Sequence, residues 1–598
     1  MSWLNTNQTA ILLACIAAIA ATEPVIAQTM FGNGYNNYSS QYTFEMTMAR
    51  IIMMVVSVSG GFCLGWFLSP QAKEFRKIVM VAVACLTLAI AVFNNGMLGW
   101  SAAWLVSFVG FSIAVGYWLG HGVKAMMQTP TTFGSSEWAD LDHMMERGLM
   151  GRDGIILGAV AIDGAVEEVF SYKGDRHLLT SAPTRSGKGV SHIIVNLLCY
   201  DGSVLVIDPK GENAMITAKA REDMGQEVRA VDPWGISGLP VARFNPLDWL
   251  DLGDVDAVEN AMLLADALVQ KDSHGDSFWQ EEAKALLQGL ILFVAFDEEF
   301  EGKRHLGTMR DLLLLSGEEL TSLFQLMAKS PHHIVRSTGA RSLQKEEKLM
   351  ANVLASAQAE THMLDSERLR ESLSVSDFKF EDLKKKRMTI YLILPADRLG
   401  AFARFLRLLV QQAITVNARN IEDKPEKPVL FILDEMPALG RLTMVEQAFG
   451  LMAGFGIQLW GITQDLCQLR KVYGEDYESF IGNSGAVAYF GSPDKTSADY
   501  FSDMCGVTTV WNFSSAVATA FSSSSGGSGG SSSSSSTDTD TRAATQRKLA
   551  YPDELMRLKP NQQLILIENT NPIMATKIKW FEDPEMAAKG VNLHAKQD

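Results

Sequence analysis

The sequence predicts an α/β protein in which a parallel sheet carries a phosphate-binding loop, is interrupted by an all-helical segment and follows N-terminal membrane spans. Three observations support this prediction. The N-terminal part of the chain is almost continuous apolar sequence with few charges. From about Gly134 onward, short apolar runs alternate with helical sequence, as in a sheet that is buried on both faces. One of these runs leads into the loop "PTRSGKG".

Four apolar segments are candidate membrane spans, at residues 9–27, 51–68, 78–93 and 97–119. A span needs about 20 apolar residues, so the third is marginal and the membrane domain of residues 1–130 has three or four transmembrane helices. The first segment could instead be a signal peptide, although no Lys or Arg precedes it. Basic residues follow the second and last spans (Lys73, Arg76, Lys77 and Lys124), which places the rest of the chain in the cytoplasm.

Composition excludes some classes of protein. The net charge of -16 argues against a surface that coats nucleic acid indiscriminately, but it leaves room for a local basic channel. The six cysteines are scattered without a C-x-x-C pair, so neither a disulfide framework nor a zinc site is indicated.

The stretch "TSAPTRSGKGVSHIIVNLL" has the features of a phosphate-binding loop between a strand and a helix. Such a loop usually has a Gly, four residues and then Gly-Lys-Ser/Thr. Here Ala182 and Gly189 replace the first Gly and the hydroxyl residue. A helix N-terminus offers free N–H groups to phosphate, and Lys188 would add a charge. We therefore predict that the following residues bind a nucleotide: Thr184, Arg185, Ser186, Gly187, Lys188, Gly189 and Val190. An ordinary strand-turn-helix is the alternative.

Acidic and amide side chains follow two other apolar runs. "PVLFILDE" ends in Asp434 and Glu435; the first carboxylate would hold Mg²⁺ and the second would orient and deprotonate water. An acidic turn or a helix cap is the alternative. Gln464 follows "IQLWGIT", at the end of a strand where open α/β sheets bind ligands. Asp208 and Lys210, in "IDPKGE", would point into the same crevice, unless they form a surface turn.

The remaining sequence divides the soluble part. Residues 131–235 form the first part of the nucleotide-binding domain, residues 236–375 an inserted all-helical domain, and residues 376–598 the second part. The Ser/Gly-rich run at residues 522–541 cannot bury enough apolar surface to order itself, so we predict a flexible loop. "KKKR" at residues 384–387 could contact nucleic acid, but a solvated turn is the favoured interpretation.

The segments "APTRSGKG", "DPKGE", "FNPL", "FWQEEAKALLQGLILFV", "DEMPALGRL" and "GITQDLCQLRKVYG" resemble the coupling-protein ATPases of type IV secretion and conjugation systems, of the TraG/TraD type. The resemblance covers the chain from about Gly134 to the C-terminus. It implies a RecA-like motor in the bacterial inner membrane, active as a homo-hexamer. Its implied partners are relaxase-bound single-stranded DNA or protein effectors, and inner-membrane components of the secretion channel.

The resemblance also assigns roles within the site. It implies ATP with Mg²⁺, and Glu435, Lys188 and Gln464 as catalytic residues. "PTRSGKG" is the form of the loop in this family, so Mg²⁺ would depend on Asp434, phosphates and waters. The segment "LMAGFG" lacks the basic residue that some relatives carry before the Gln464 strand. Substitutes for that residue are Arg441, Arg398, Arg404 and Arg407.

Three other functions are weaker. An ABC-type exporter is suggested by "LLSGEEL" at residues 314–320, but that class has its Ser-Gly signature shortly before the acidic strand, and Asp434 lies far downstream. A cargo receptor without hydrolysis would not need Glu435. A general DNA-translocating hexamer shares the motor, but the "DPKGE" and "FNPL" segments favour secretion.

Overall fold

A computed structural model describes residues 113, 116–117, 133–162, 166–269, 277–523 and 532–593. The chain divides into two compact units, Met1–Pro130 and Thr131–Asp598. Apart from residues 113 and 116–117, the four predicted membrane spans lie outside the described residues. The architecture below is that of the second unit.

The second unit is built on an eleven-stranded sheet with the order β2-β1-β13-β12-β9-β3-β8-β7-β4-β6-β5. A separate two-stranded ribbon pairs β10 with β11. The strands are β1 Ile155–Ile162, β2 Val166–Tyr172, β3 His177–Ser181, β4 Val204–Asp208, β5 Glu227–Val231, β6 Met388–Ile393, β7 Val429–Leu433, β8 Ile457–Thr463, β9 Ser484–Tyr489, β10 Val507–Ser523, β11 Ser532–Lys548, β12 Gln562–Ile567 and β13 Ile573–Thr576.

The centre of the sheet is parallel and one side is antiparallel. Strands β9, β3, β8, β7, β4, β6 and β5 run parallel to their neighbours. Every residue of β3, β4, β6, β7, β8 and β9 is buried, which explains why these strands appear in the sequence as apolar runs. Strands β12, β13, β1 and β2 add antiparallel pairs beyond β9. The predicted α/β class is confirmed, with a mixed sheet in place of a purely parallel one.

Helices cover both faces of the sheet and fill the segment between β5 and β6. They are α1 Leu141–Glu146, α2 Ile194–Cys199, α3 Glu212–Asp223, α4 Ala257–Leu268, α5 Ser277–Phe296, α6 Leu306–Leu313, α7 Gly317–Met327, α8 His333–Gln344, α9 Glu347–Glu360, α10 Glu367–Ser372, α11 Asp382–Lys385, α12 Leu399–Arg419, α13 Thr443–Leu451, α14 Leu466–Tyr473, α15 Tyr477–Gly482, α16 Lys495–Cys505, α17 Pro552–Met556 and α18 Pro584–Lys589. A π-helix, Gly189–Ile193, precedes α2.

Between β5 and β6 the described chain is helical, from α4 to α11. The largest apolar core joins this helical segment to the sheet, since it contains Leu287 and Phe293 of α5 together with Leu205 of β4. Helix α12 belongs to the same core. Among the described residues, its extended form Ala396–Arg419 is the one helix long and apolar enough to cross a membrane, and 67% of its apolar window is buried inside the protein. This degree of burial is typical of a core helix.

The Ser/Gly-rich run differs from its prediction. Strand β11 begins at Ser532 and β10 ends at Ser523, so much of the run at residues 522–541 belongs to the antiparallel ribbon. Backbone hydrogen bonds between two strands can order a segment that buries no apolar side chains. The prediction of a flexible loop considered apolar burial alone and left this contribution out. The prediction of a flexible loop stays open for residues 524–531, which lie outside the described residues.

The basic run at residues 384–387 is matched by acceptors. The Lys384 ammonium donates to the carbonyls of Asn420 and Phe455 and is almost fully buried. Lys386 lies 2.9 Å from Asp382, and Lys385 and Arg387 are within 4 Å of Asp423 and Glu426. These pairs support the interpretation of a turn over that of a nucleic-acid contact.

Candidate active site

The phosphate-binding loop follows β3 at the carboxyl end of the sheet. Ala182 N–H donates to the Thr463 carbonyl at 2.8 Å, which ties the start of the loop to the end of β8. Arg185 and Gly187 have φ of 64° and 95°, in the left-handed region that favours glycine. A Cβ at Gly189 would meet no atom within 4 Å, so the loop is open above this residue.

The helix after the loop is buried more completely than its apolar pattern predicts. It starts as the π-helix and continues as α2, and Ser191, His192 and Asn196 are buried together with the apolar residues. Asn196 exchanges hydrogen bonds with the Ile156 backbone, and a ring nitrogen of His192 lies 3.0 Å from the Leu157 carbonyl. Strand β1 therefore covers the face that the sequence pattern leaves for solvent.

Lys188 meets the acidic pair that follows β7. Its Nζ lies 2.8 Å from Asp434 Oδ1 and 2.5 Å from Glu435 Oε1. Gln464 donates its Nε2–H to Glu435 Oε2 at 3.1 Å. The side chains of Lys188 and Asp434 are only 14% and 12% exposed. The four predicted side chains thus form one contiguous cluster at the carboxyl ends of β3, β7 and β8.

Backbone geometry at the acidic pair is strained. Glu435 has φ of 55°, in the left-handed region, and it precedes the short 3-10 helix Met436–Leu439. Such a conformation costs a non-glycine residue roughly 1–3 kcal/mol and is concentrated at functional sites. Among the described residues, three non-glycine residues have positive φ, and two of them, Arg185 and Glu435, line the cavity described below.

The charges in the cluster depend on each other. Burial acts to lower the pKa of Lys188, but the charges of Asp434 and Glu435 outweigh it and raise that pKa, so the ammonium stays charged. Burial raises the pKa of Asp434, and Lys188 opposes the shift. Removal of Lys188 would leave two carboxylates side by side without a cation, which is unfavourable.

A third carboxylate, that of Asp208, lies at the end of β4. It is almost fully buried and accepts a hydrogen bond from Ala214 N–H at 2.9 Å. Burial raises its pKa from the ordinary value of 3.8 to about 6, and Asp434 adds to the shift. Asp208 and Lys210 both line the cavity, although the Lys210 side chain is 70% exposed.

The raised pKa of Asp208 predicts a pH-dependent effect of Asp208→Asn. The folded state binds this proton more tightly than the unfolded state, so the contribution of Asp208 to stability is present below pH 3.8 and is lost as the pH rises through about 6. The variant should therefore gain stability relative to wild type by about 2 kcal/mol between about pH 4.5 and pH 7.5. Thermal unfolding of both proteins at the two pH values measures this gain. If the difference in stability between the two proteins is the same at both pH values, the raised pKa of Asp208 is wrong.

A cavity of about 1390 Å³ lies over the cluster and is large enough for a nucleotide. Asp434, Glu435 and Gln464 line it together with six of the seven predicted loop residues: Thr184, Arg185, Gly187, Lys188, Gly189 and Val190. Ser186 is not part of the lining, and its hydroxyl is buried without a hydrogen-bond partner among the described residues. The lining also includes Asp266 and Gln280 of the helical segment.

The four candidate arginines occupy different positions. Arg407 and Arg441 line the cavity, whereas Arg398 and Arg404 do not. Arg407 is 4% exposed and donates to the carbonyls of Asp266 and Val269 of its own chain, at 3.1 and 3.2 Å. Arg404 pairs with Glu360 at 2.8 Å, and Arg398 lies over the Trp234 ring. Arg441 is half-exposed and pairs with Glu446 and Asp476.

The cluster has the chemistry that a nucleotide with Mg²⁺ requires. The loop offers an open backbone and a lysine ammonium, and Asp434 offers the carboxylate oxygen that Mg²⁺ prefers. Among the described residues no group of three or more His, Cys, Asp or Glu could hold a metal by itself, so Mg²⁺ would need phosphates and water as further ligands. Residues 314–320, the basis of the exporter alternative, lie at the start of α7 and do not line the cavity.

Comparison with known proteins agrees with this architecture. A model of the family described as "Type IV secretory system Conjugative DNA transfer" matches residues 137–598. The chain belongs to this family. The conjugal transfer protein TraG of Escherichia coli is 26% identical over 505 residues, which are 76% of this chain and 77% of TraG. The protein VirD4 of Rhizobium radiobacter is 26% identical over 461 residues, which are 75% of this chain and 64% of VirD4.

The fold of this coupling protein has a counterpart among solved structures. The plasmid coupling protein TrwB, in complex with ADP and Mg²⁺, aligns with a TM-score of 0.54 at 14% identity and covers 74% of this chain and 94% of TrwB. At this identity the likeness establishes the fold. The family match and these relatives confirm the type IV secretion coupling protein that the sequence motifs predict.

One residue at the site escapes the sequence motifs. Lys577 follows β13, far along the chain from the phosphate-binding loop, and its Nζ donates to the Ser186 carbonyl at 3.1 Å. Lys577 and Lys579 stand in the otherwise mostly apolar run "IMATKIKW", but nothing local indicates what Lys577 contacts.

Proposed function

We propose that this coupling protein is a Mg²⁺-dependent ATPase of RecA-like type, which uses hydrolysis to drive cargo into a type IV secretion channel. The observation that carries the proposal is the contiguous cluster of Lys188, Asp434, Glu435 and Gln464 over an open phosphate-binding loop. A loop that only turned the chain would not need a base, an amide and a cation within hydrogen-bond distance of each other.

Each residue has a distinct part in this reaction. Loop N–H groups and the Lys188 ammonium bind the outer phosphates, and Asp434 is the residue that would hold Mg²⁺, whose charge offsets that of the phosphates. Glu435 accepts a proton from the attacking water. Its Oε1 pairs with Lys188 and its Oε2 accepts a hydrogen bond from Gln464, and these two contacts orient the carboxylate. Gln464 orients Glu435 and lies where it can detect the terminal phosphate. The cap formed by Asp465 on Gln468 N–H fixes the turn that holds Gln464.

Binding of ATP would rearrange the charges of the cluster. Lys188 forms ion pairs with both carboxylates. Phosphate oxygens compete for the same ammonium, and its transfer to them frees Asp434 for the metal and Glu435 for water. The ion pairs with Lys188 therefore offset part of the cost of burying the two acids.

Family membership supports a proposal for the cargo and the assembly. TraG is a conjugal transfer protein and TrwB a plasmid coupling protein, which supports relaxase-bound single-stranded DNA as cargo, with protein effectors as the alternative cargo. We infer a homo-hexamer in the bacterial inner membrane, held there by multiple N-terminal spans and in contact with inner-membrane components of the channel. The ATPase domain lies in the cytoplasm, and an exposed arginine such as Arg441 would complete a neighbour's site.

Turnover by the cytoplasmic part, from about Thr131 onward, tests the motor. Alone it should be mostly monomeric and weakly active, because each site needs a neighbouring subunit. Single-stranded DNA should raise both assembly and ATP hydrolysis, and added salt should weaken this effect because it opposes counterion release from the phosphates. Light scattering and phosphate release measure the two responses.

Turnover that depends on neither protein concentration nor DNA would contradict the DNA-driven motor. Stimulation by a purified effector in place of DNA would leave the ATPase intact and identify protein as the cargo.

A further inference from the structure

Lys577 lies beneath the phosphate-binding loop in a nearly closed environment. The residue is 7% exposed, and its ammonium donates to the carbonyls of Ser186 and Pro560, each at 3.1 Å. The same ammonium lies 4.2 Å from the centroid of the Phe490 ring, a cation–π distance. Burial lowers the pKa of Lys577 to about 8. A buried cation of this kind is costly, and its position beneath a functional loop calls for a reason.

The hydrogen bond to Ser186 fixes the direction of one peptide unit. In a planar trans peptide the C=O and the following N–H point in opposite directions. The Ser186 carbonyl faces Lys577, so the Gly187 N–H faces the other way, toward the cavity that Gly187 lines. This N–H is among those that a phosphate on the loop would meet.

Gly187 makes this peptide unit easy to turn over. Its φ of 95° is accessible because it has no Cβ, and a Cβ placed there would meet only Val190, at 3.7 Å. A turned-over peptide would aim the Ser186 carbonyl, a negative dipole end, at the phosphates. The loop next to Gly187 therefore needs an external constraint, and the described contact that supplies one comes from Lys577.

We propose that Lys577 is a positioning residue for phosphate binding: it holds the Ser186 carbonyl so that the Gly187 N–H stays directed into the nucleotide site. The inference deepens the proposed ATPase and rests on it. Lys577 does not line the cavity, so its loss should weaken binding much more than the chemical step.

The chain offers a matched control in Lys384. That lysine is also 7% exposed and also donates to two backbone carbonyls, those of Asn420 and Phe455. It precedes β6, at the amino end of the parallel strands and therefore away from the loop, and it does not line the cavity. Lys384→Met removes the same kind of buried interaction without touching the phosphate-binding loop.

The test uses the full chain in detergent. Equilibrium titration with a fluorescent ATP analogue gives Kd, and steady-state hydrolysis separates KM from kcat. Lys577→Met should raise Kd and KM about tenfold, the loss expected for one charge-assisted hydrogen bond, while kcat changes by less than about twofold. Lys577→Arg, which keeps the charge and the donors, should restore most of the affinity. Lys384→Met should leave Kd at the wild-type value.

Thermal unfolding identifies variants that have lost their fold. Should Lys577→Met not fold, Lys577→Gln replaces it, since its shorter neutral side chain cannot reach both carbonyls. If a folded Lys577 variant binds the ATP analogue with the same Kd as Lys384→Met, Lys577 does not position the loop. Lys188→Ala separates this failure from that of the proposed function: if Lys188→Ala also binds as wild type does, the cavity is not the nucleotide site, and both proposals fall.

Discussion

Glu435→Gln should abolish most ATP hydrolysis while leaving nucleotide bound. Glutamine keeps the shape of glutamate and can still contact Gln464, but it cannot accept the proton of the attacking water. Loss of a positioned general base costs about 10²- to 10⁴-fold in rate. Lys188 and Asp434, whose Nζ and Oδ1 atoms lie 2.8 Å apart, are unchanged, so the groups that would bind phosphate and metal persist. Phosphate release and nucleotide retention, measured on the same preparation, separate the two effects.

Glu212→Gln is the matched control for this variant. Glu212 lines the same cavity and carries the same charge, but it pairs with Lys210 at 3.7 Å and not with Lys188. The substitution changes the net charge of the cavity without removing the base. Hydrolysis by Glu435→Gln at the wild-type rate would remove Glu435 from the role of base. Cargo transfer by a variant that cannot hydrolyse ATP would separate hydrolysis from transport.

The centre of the fold was predictable because burial on both faces produces a local signal. Strand β8, Ile457–Thr463, matches its apolar run from end to end. Strands β2 and β5, "VEEVFSY" and "EVRAV", carry charged residues because they lie at the two edges of the sheet, and no apolar run identifies them. In the antiparallel addition beyond β9, β1 pairs with β13 through Ala159 and Thr576, and β12 pairs with β9 through Leu564 and Tyr489. The sequence has no local mark for pairing between segments so far apart.

Part of the candidate site was predictable because the carboxyl ends of parallel strands lie at the same end of the sheet. Lys188 and Glu435 are separated by 247 positions in the sequence, yet each follows a strand of the parallel centre, so their proximity follows from topology. The bridge that Lys188 makes between both carboxylates depends on side-chain geometry, and no motif specifies it. Lys577 reaches the loop from 391 positions away. It follows β13, and the sequence does not indicate that this strand lies between β1 and β12.

Lys188→Ala should empty the nucleotide site, the reverse of the trapped state expected for Glu435→Gln. The ammonium supplies the side-chain charge beside the outer phosphates, and two charge-assisted hydrogen bonds are worth about 3 kcal/mol or more, which corresponds to at least about a hundredfold in affinity. The variant also leaves Asp434 and Glu435 as adjacent carboxylates without their shared cation, so the protein without nucleotide should lose stability as well.

The double variant Lys188→Ala, Glu435→Gln separates these two consequences. It removes one of the facing charges, so it should recover thermal stability relative to Lys188→Ala, yet nucleotide affinity should stay low because no group replaces the ammonium. Unfolding curves and ATP-analogue titrations of the four proteins complete the cycle. Recovery of affinity together with stability would mean that Lys188 acts only as a counter-ion for the acidic pair, and phosphate binding would then have to be assigned to the loop N–H groups alone.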